Sequence, residues 1–156
     1  DQVEQLLKKK DEKEEQKQLA HICVLSAYIK RRCNLALLAE NSALLQAKEL
    51  SYCLKESAEM MQLYGTMVSM DSSCQGETKA EYLIAVYDTF EQLIEQILDR
   101  TDAMLLNVHV LNNQICMKIQ INLENAWNIP EWNYWYAVGG SVNIRQLEKT
   151  WYLEFT

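Results

Sequence analysis

The first part of the chain repeats apolar residues with a helical period. Residues 1–18 carry both charge signs, few apolar side chains and no glycine or proline, which predicts a solvated helix. From Leu19 to Leu45 apolar residues fall on more than one side of the same helix, so this segment requires covering on several sides. A second helix is predicted over residues 47–64, with Gly65 as its stop. The pattern therefore predicts a helical hairpin.

After Gly65 the period changes to alternation, interrupted by one long helix. The predicted elements are a short strand over 66–70, a loop over 71–76, an amphipathic helix over 78–99, an antiparallel hairpin over 104–124 and two strands at 142–144 and 151–155. About five strands covered by one long helix form an α/β sandwich.

The predicted fold class is α+β, an N-terminal helical hairpin followed by a small α/β sandwich. Three units are expected along the chain. They are residues 1–45 as a long helix, 46–65 as a second, connecting helix and 66–156 as the sandwich.

Composition narrows the class of protein. Hydrophobic residues make up 49% and charged residues 24% of the chain, with four glycines and one proline, as in globular domains. No apolar run approaches the roughly 20 residues of a membrane-spanning helix. The residues from Asp1 onward lack the features of a signal peptide and an initiator methionine, so we expect a fragment of a larger protein.

Charge and cysteine content exclude two further classes. The net charge is −7, and residues 36–99 contain three basic against eleven acidic side chains. Such a segment repels phosphate backbones, so no nucleic-acid partner is expected. The five cysteines form no C-x-x-C pair and predict reduced thiols, neither a disulfide framework nor a zinc site.

Three local sequences add to the element order. They are YIKRRCNLALL at 28–38, the helix that includes KEL at 48–50 and ESA at 56–58, and VGGSV at 138–142. Together with the element order over residues 20–156, they resemble the C-terminal region of bacterial sensor histidine kinases. In that family a dimerising helical hairpin precedes a Bergerat-type ATP-binding fold, which is shared with gyrase, heat-shock chaperone and MutL ATPases.

The resemblance implies partners and a location. It implies a homodimer formed through residues 19–64 and a response regulator as a possible downstream partner. It also implies a cytoplasmic position, as part of a larger membrane-associated sensor, with no membrane contact within this segment.

The family's nucleotide motifs are altered here. The family's long helix carries E-x-x-x-N, whose Asn ligates the magnesium ion at the nucleotide phosphates; this chain has Glu91 and then Glu95 at the Asn position. Where the family has D-x-G-x-G, with its Asp on the adenine amino group, this chain has Glu124 and Asn125 and no glycine. The family's glycine-rich lid is replaced by WNIPEWNYWYAV at 127–138, which is a poor cradle for phosphate.

These changes predict that nucleotide binding is weak or lost and that no cofactor is bound. Two alternatives stay open. In one, the chain is a divergent but active kinase domain that binds ATP and magnesium. Glu95 is then the metal ligand, and the nucleotide is bound by Glu91, Glu124 and Asn125. In the other, it is a non-enzymatic protein-interaction module. Whether the chain is an enzyme is therefore left open.

Two histidines and a tryptophan cluster remain. His21 is the only candidate phospho-acceptor, but Ile22 follows it where the family has an acidic residue, so an ordinary helix histidine is expected. His109 is expected to face solvent from a strand. Trp127, Trp132 and Trp135 either fill the nucleotide space of the related fold, which we favour, or form an exposed patch for a partner.

Overall fold

The computed structural model describes all 156 residues. The elements are α1 (Gln2–Asn41), β1 (Leu44–Gln46), α2 (Lys48–Leu63), β2 (Met67–Gln75), β3 (Glu77–Lys79), α3 (Ala80–Ile97), β4 (Ala103–Leu111), β5 (Gln114–Asn122), α4 (Asn133–Tyr136), β6 (Val142–Leu147) and β7 (Thr150–Phe155). The α+β class and the N-terminal helical hairpin are confirmed. None of the helices combines the length and apolar character that crossing a membrane requires.

Five strands form one mixed sheet in the order β2-β4-β5-β7-β6. Strands β2 and β4 are parallel and are joined through α3, whereas the other neighbours are antiparallel. The strict alternation of β4 and β5 buries one face of the sheet and leaves the other exposed. The helices pack on the buried face, so the sheet and one helical layer form the predicted sandwich.

Helix α3 lies at the centre of the protein. Every residue from Ala85 to Glu91 is buried, because the helix contacts both helices of the hairpin and α4 and packs its apolar residues into the core of the sheet. The amphipathic pattern of residues 78–99 predicts a polar face turned to solvent, with its carboxylates exposed. That interpretation is wrong for Asp88, which is 8% exposed, and for Glu91, which is 3% exposed. Both carboxylates face the hairpin, a contact that the sequence period cannot reveal.

The first helix ends earlier than predicted. It stops at Asn41, and Leu44–Gln46 pairs antiparallel with Glu77–Lys79 in a separate two-stranded sheet. Two three-residue strands are too short to produce a recognisable alternation, so the sequence pattern missed both. This small sheet joins the segment between α1 and α2 to the start of α3.

The segment 71–76, predicted as a loop, is mostly strand. Strand β2 continues to Gln75, because its backbone pairs with β4 over nine consecutive positions from Met67. Backbone pairing with a central strand therefore overrides the local turn preference of Asp71-Ser72-Ser73. The chain turns at Gly76, which has a φ of +73°.

Candidate functional site at the hairpin–α3 interface

Three consecutive basic residues of α1 bind carboxylates on two other helices. Lys30 Nζ lies 2.5 Å from Glu56 Oε1 of α2, and the Arg31 guanidinium binds the other oxygen of the same carboxylate. Arg32 Nε donates to Asp88 Oδ1 of α3 at 2.8 Å. We call the contact surface of α1 and α2 with α3, centred on these pairs, the hairpin–α3 interface. The basic run 30–32, within the apolar part of α1, thus connects all three helices.

Asp88 accepts two hydrogen bonds in this interface, both at one of its carboxylate oxygens. The Tyr28 hydroxyl donates to the same Oδ1 atom at 2.6 Å, alongside Arg32. Burial and the hydrogen bond to Asp88 both raise the pKa of Tyr28 above its usual value. The Tyr28 ring also packs against Tyr87, with ring centroids 5.1 Å apart. A buried carboxylate with two donors is compatible with a low-dielectric contact.

The ion pairs at Glu56 are at the edge of the interface. Burial opposes ionisation of Glu56, but the hydrogen bonds from Lys30 and Arg31 outweigh it, so the pKa of Glu56 is lowered. The hydrogen bond to Glu56 in turn raises the pKa of Arg31, against the effect of burial. The Glu56 side chain is one-fifth exposed, so we assign it a smaller share of the stability than Asp88.

Glu91 lies one turn beyond Asp88 and has no such partners. Neither carboxylate oxygen accepts a hydrogen bond from the protein. Burial, with a smaller contribution from the charge of Glu95, raises the pKa of Glu91 to about 8. Glu91 is therefore mostly protonated at neutral pH.

Two buried hydroxyls lie together between α2 and α3. Ser57 of α2 and Tyr87 of α3 are both fully buried and lie close together without the geometry of a hydrogen bond. Burial raises the pKa of Tyr87, while the Ser57 hydroxyl acts in the opposite direction. The centre of the interface thus holds three polar side chains with unused hydrogen-bonding capacity.

The residues expected at a nucleotide lie in two places. Glu91 and Glu95 occupy successive turns of α3, the first buried in the interface and the second exposed. Glu124 and Asn125 follow β5 and are exposed, and Glu124 binds Lys149 of the β6–β7 turn at 2.7 Å. The Glu124 carboxylate is thus engaged by a cation of a neighbouring turn. No group of three or more His, Cys, Asp or Glu side chains is arranged to hold a metal ion.

The tryptophans of the 127–138 segment are buried between α3 and the sheet. Trp127 packs edge-on to Trp151 with ring centroids 5.4 Å apart, and Trp132 packs against Phe155 at 5.1 Å. Trp135 is 4% exposed. The interpretation of these three side chains as an exposed patch is therefore wrong, because they are part of the hydrophobic core.

Polar contacts attach the same segment to α3. The Trp127 indole donates to Gln96 Oε1 at 3.2 Å, and Gln92 Nε2 donates to the Glu131 carbonyl at 3.0 Å. A methyl group at Gly140 would lie 2.2 Å from the Trp135 ring, so that glycine permits the ring to pack against the backbone. The segment at the position of the family's lid is thus packed on α3 and the core.

The two histidines are not part of this cluster. His21 is half-buried on α1 beside buried Ala20, with no hydrogen bond from its side chain. His109 is exposed on the open face of the sheet, as predicted, opposite Cys116. All five cysteines are free.

No protein-family model matches the chain, and no curated protein matches it either. Several solved structures do match the chain. The histidine kinase domain of the blue-light activated histidine kinase EL346 from Erythrobacter litoralis matches with a TM-score of 0.60 and 10% identity, over 85% of this chain and 73% of that one. The Acinetobacter baumannii histidine kinase AdeS matches with a TM-score of 0.53 and 10% identity, over 86% and 78%.

A longer structure of the same Erythrobacter litoralis kinase also matches, with a TM-score of 0.55 and 11% identity, over 81% of this chain and 52% of that one. At 10–11% identity these likenesses concern the fold. The chain has the fold of histidine kinase domains, which confirms the architecture that the order of its elements predicted.

Sequence reasoning missed the ion pairs that the basic run 30–32 forms with Glu56 and with buried Asp88. One signal was present, because Asp88 and Glu91 stand in a helix whose other residues around them are almost all apolar. The pairing itself joins positions 56 residues apart and becomes visible only in the folded chain.

Proposed function

We propose that the chain is the signal-transducing region of a sensor histidine kinase, in which the hairpin relays a signal to a sandwich with weak or absent nucleotide binding. One observation carries this proposal. The hairpin is docked on α3, the helix that bears the magnesium ligand in the resembled family, and it covers the Glu91 side of that helix.

Three features support weak nucleotide binding. Glu91 is buried beneath the hairpin, and Glu95 would add negative charge beside a polyphosphate. Glu124 is engaged by Lys149. The 127–138 segment packs its tryptophans into the core, where it supplies no row of flexible backbone amides to bind phosphate.

Dimerisation through residues 19–64 is supported by an unpaired apolar stripe. The face of α1 turned away from α3 exposes large apolar side chains at helical spacing, namely Leu19, Ile22, Leu25, Ile29 and Leu37. A second copy of the hairpin presents the same stripe and would cover it in a four-helix arrangement. In this proposal a homodimer relays the signal. The homodimer is part of a larger membrane-associated sensor, its hairpin lies in the cytoplasm, and a response regulator acts downstream.

Calorimetry with a non-hydrolysable ATP analogue, with and without magnesium, tests the proposal. We expect a dissociation constant above about 0.1 mM in both conditions, because the losses of affinity from the changed residues at the site combine. The variants Glu95→Ala and Glu81→Ala, both on exposed positions of α3, serve as the test and its matched control. Low-micromolar, magnesium-dependent binding that Glu95→Ala abolishes and Glu81→Ala retains would establish the active-kinase alternative instead.

A further inference from the structure

A groove crosses the open face of the sheet, the face that no helix covers. It encloses about 430 Å³ and is lined by side chains from all five strands of the sheet. A cavity of this volume is in the range of small-molecule binding sites. The groove lies on the opposite side of the sheet from α3, so it is separate from the hairpin–α3 interface.

The strand register places a row of polar side chains across this groove. Asp71 of β2 pairs with Asn107 of β4, Asn107 pairs with Lys118 of β5, and Lys118 pairs with Glu154 of β7. Side chains of paired residues lie side by side on one face of a sheet. Because neighbouring strands are about 4.8 Å apart, the backbones at Asp71 and Lys118 are about 10 Å apart.

The charged side chains of the groove are not paired with one another. Four of them take part in none of the ion pairs of the protein, namely Asp71, Lys118, Arg145 and Glu154. The Arg145 guanidinium lies over the Tyr152 ring instead, 5.3 Å from the ring centroid. These charges are therefore available to a ligand in the groove.

The two ends of the groove differ in charge. The β2 end has the Asp71 carboxylate and, beside it, Asn107, whose Oδ1 atom is buried and accepts no hydrogen bond. The terminal torsion of an asparagine is soft, so a small rotation would turn this oxygen toward a donor. At the other end, the two cations Lys118 and Arg145 stand on either side of the single Glu154 carboxylate. One end of the groove is thus negative and the other is positive.

An apolar side chain lies between these ends. Leu105 is on β4, which runs between the strands of Asp71 and Lys118, and it is 50% exposed. Contact with an apolar group of a ligand would remove this side chain from water. The groove therefore offers an acceptor end, an apolar centre and a cationic end.

We propose that the open face of the sheet binds a short zwitterionic peptide, with its ammonium group at Asp71 and its carboxylate at Lys118 and Arg145. An extended tripeptide spans about 10 Å, which matches the separation of the strands that carry Asp71 and Lys118. The middle side chain of the tripeptide then lies on Leu105. Because both charged termini are bound, the ligand is a free peptide, distinct from a segment within a protein chain.

This proposal goes beyond the signalling role, since it concerns the other face of the sheet and holds whether or not the chain binds nucleotide. The tripeptide Ala-Leu-Ala is the probe, and the amide chemical shifts of the isotopically labelled chain are followed by nuclear magnetic resonance. We expect saturable shifts in the five strands, with a dissociation constant below about 1 mM. Acetylating the amino terminus of the peptide or amidating its carboxylate should each weaken binding at least about fivefold. Shifts that do not saturate, shifts confined to the helices, or equal binding of a blocked peptide overturn the proposal.

Two variants assign the ends of the peptide. Asp71→Asn should weaken binding of Ala-Leu-Ala at least about fivefold and leave binding of the acetylated peptide unchanged, because that peptide has no ammonium group. Lys118→Gln should act in the same way with the amidated peptide. Both positions are exposed, so the fold is retained. Glu81→Gln and Lys55→Gln, at exposed positions of the helices, are the charge-matched controls and should bind like the wild type. Equal losses in a variant and its control overturn the proposal, as does a loss that persists with the blocked peptide.

Discussion

Arg32 of α1 donates a hydrogen bond to Asp88 of α3 across 2.8 Å and so joins two helices whose residues lie 56 positions apart. Asp88 is buried and also accepts from Tyr28, so the bond is held in a low-dielectric contact. Because Lys30 and Arg31 bind Glu56 from the preceding positions, any rotation of α1 has to break contacts with both other helices. Arg32 and Tyr28, which both bind Asp88, are therefore the polar link between α1 and α3, while Lys30 and Arg31 hold α1 to α2 within the hairpin.

Removal of the Arg32 side chain should destabilise the protein. Arg32→Ala leaves the Asp88 carboxylate buried with Tyr28 as its remaining donor, at a cost of about 1–3 kcal/mol. The measurement is the free energy of unfolding from urea titration. Arg100→Ala, an exposed arginine without an ion pair, is the control and should change stability by less than about 0.5 kcal/mol. Equal effects of the two substitutions would contradict the assigned role of Arg32.

The exposed stripe of α1 should control the oligomeric state. Sedimentation of the wild-type chain at micromolar concentration is expected to give twice the monomer mass of 18.2 kDa. Ile22→Asp with Ile29→Asp places two charges in the stripe and should give monomers without loss of helix content. Leu147→Asp, at an exposed apolar position of β6, should leave the dimer intact. A wild-type monomer at these concentrations excludes dimerisation through the hairpin.

Gly140 should be intolerant of a side chain. The methyl group of Gly140→Ala would overlap the rigid Trp135 ring, and moving that ring disturbs the core beneath it. We expect a loss of about 1–3 kcal/mol in the free energy of unfolding and a weaker near-ultraviolet circular dichroism signal from the tryptophans. Ser141→Ala, exposed and next in the chain, is the comparison and should retain both. An unchanged signal in Gly140→Ala would show that the ring has room to move.

Much of the fold could be predicted because its periodic segments are long. The alternation of β4 and β5 and the helical periods of α2 and α3 are each sustained over at least nine residues, and their order matched the architecture. Strand β1 could not be found in this way, because three residues carry no period. Strand β2 was cut short at Met70, because the pairing with β4 that extends it to Gln75 is not local.

In the candidate site too, the identities of the residues could be predicted from the sequence and their contacts could not. The changed nucleotide motifs at Glu91, Glu95 and Glu124 can be recognised without a structure, because residue identity at a position in a predicted element is local information. The folded chain was needed to show that Glu91 is buried without a partner while Asp88, three residues before it, is paired. The physical reason is that burial and pairing depend on which helix covers a position, and the hairpin reaches α3 through contacts between residues far apart in the chain.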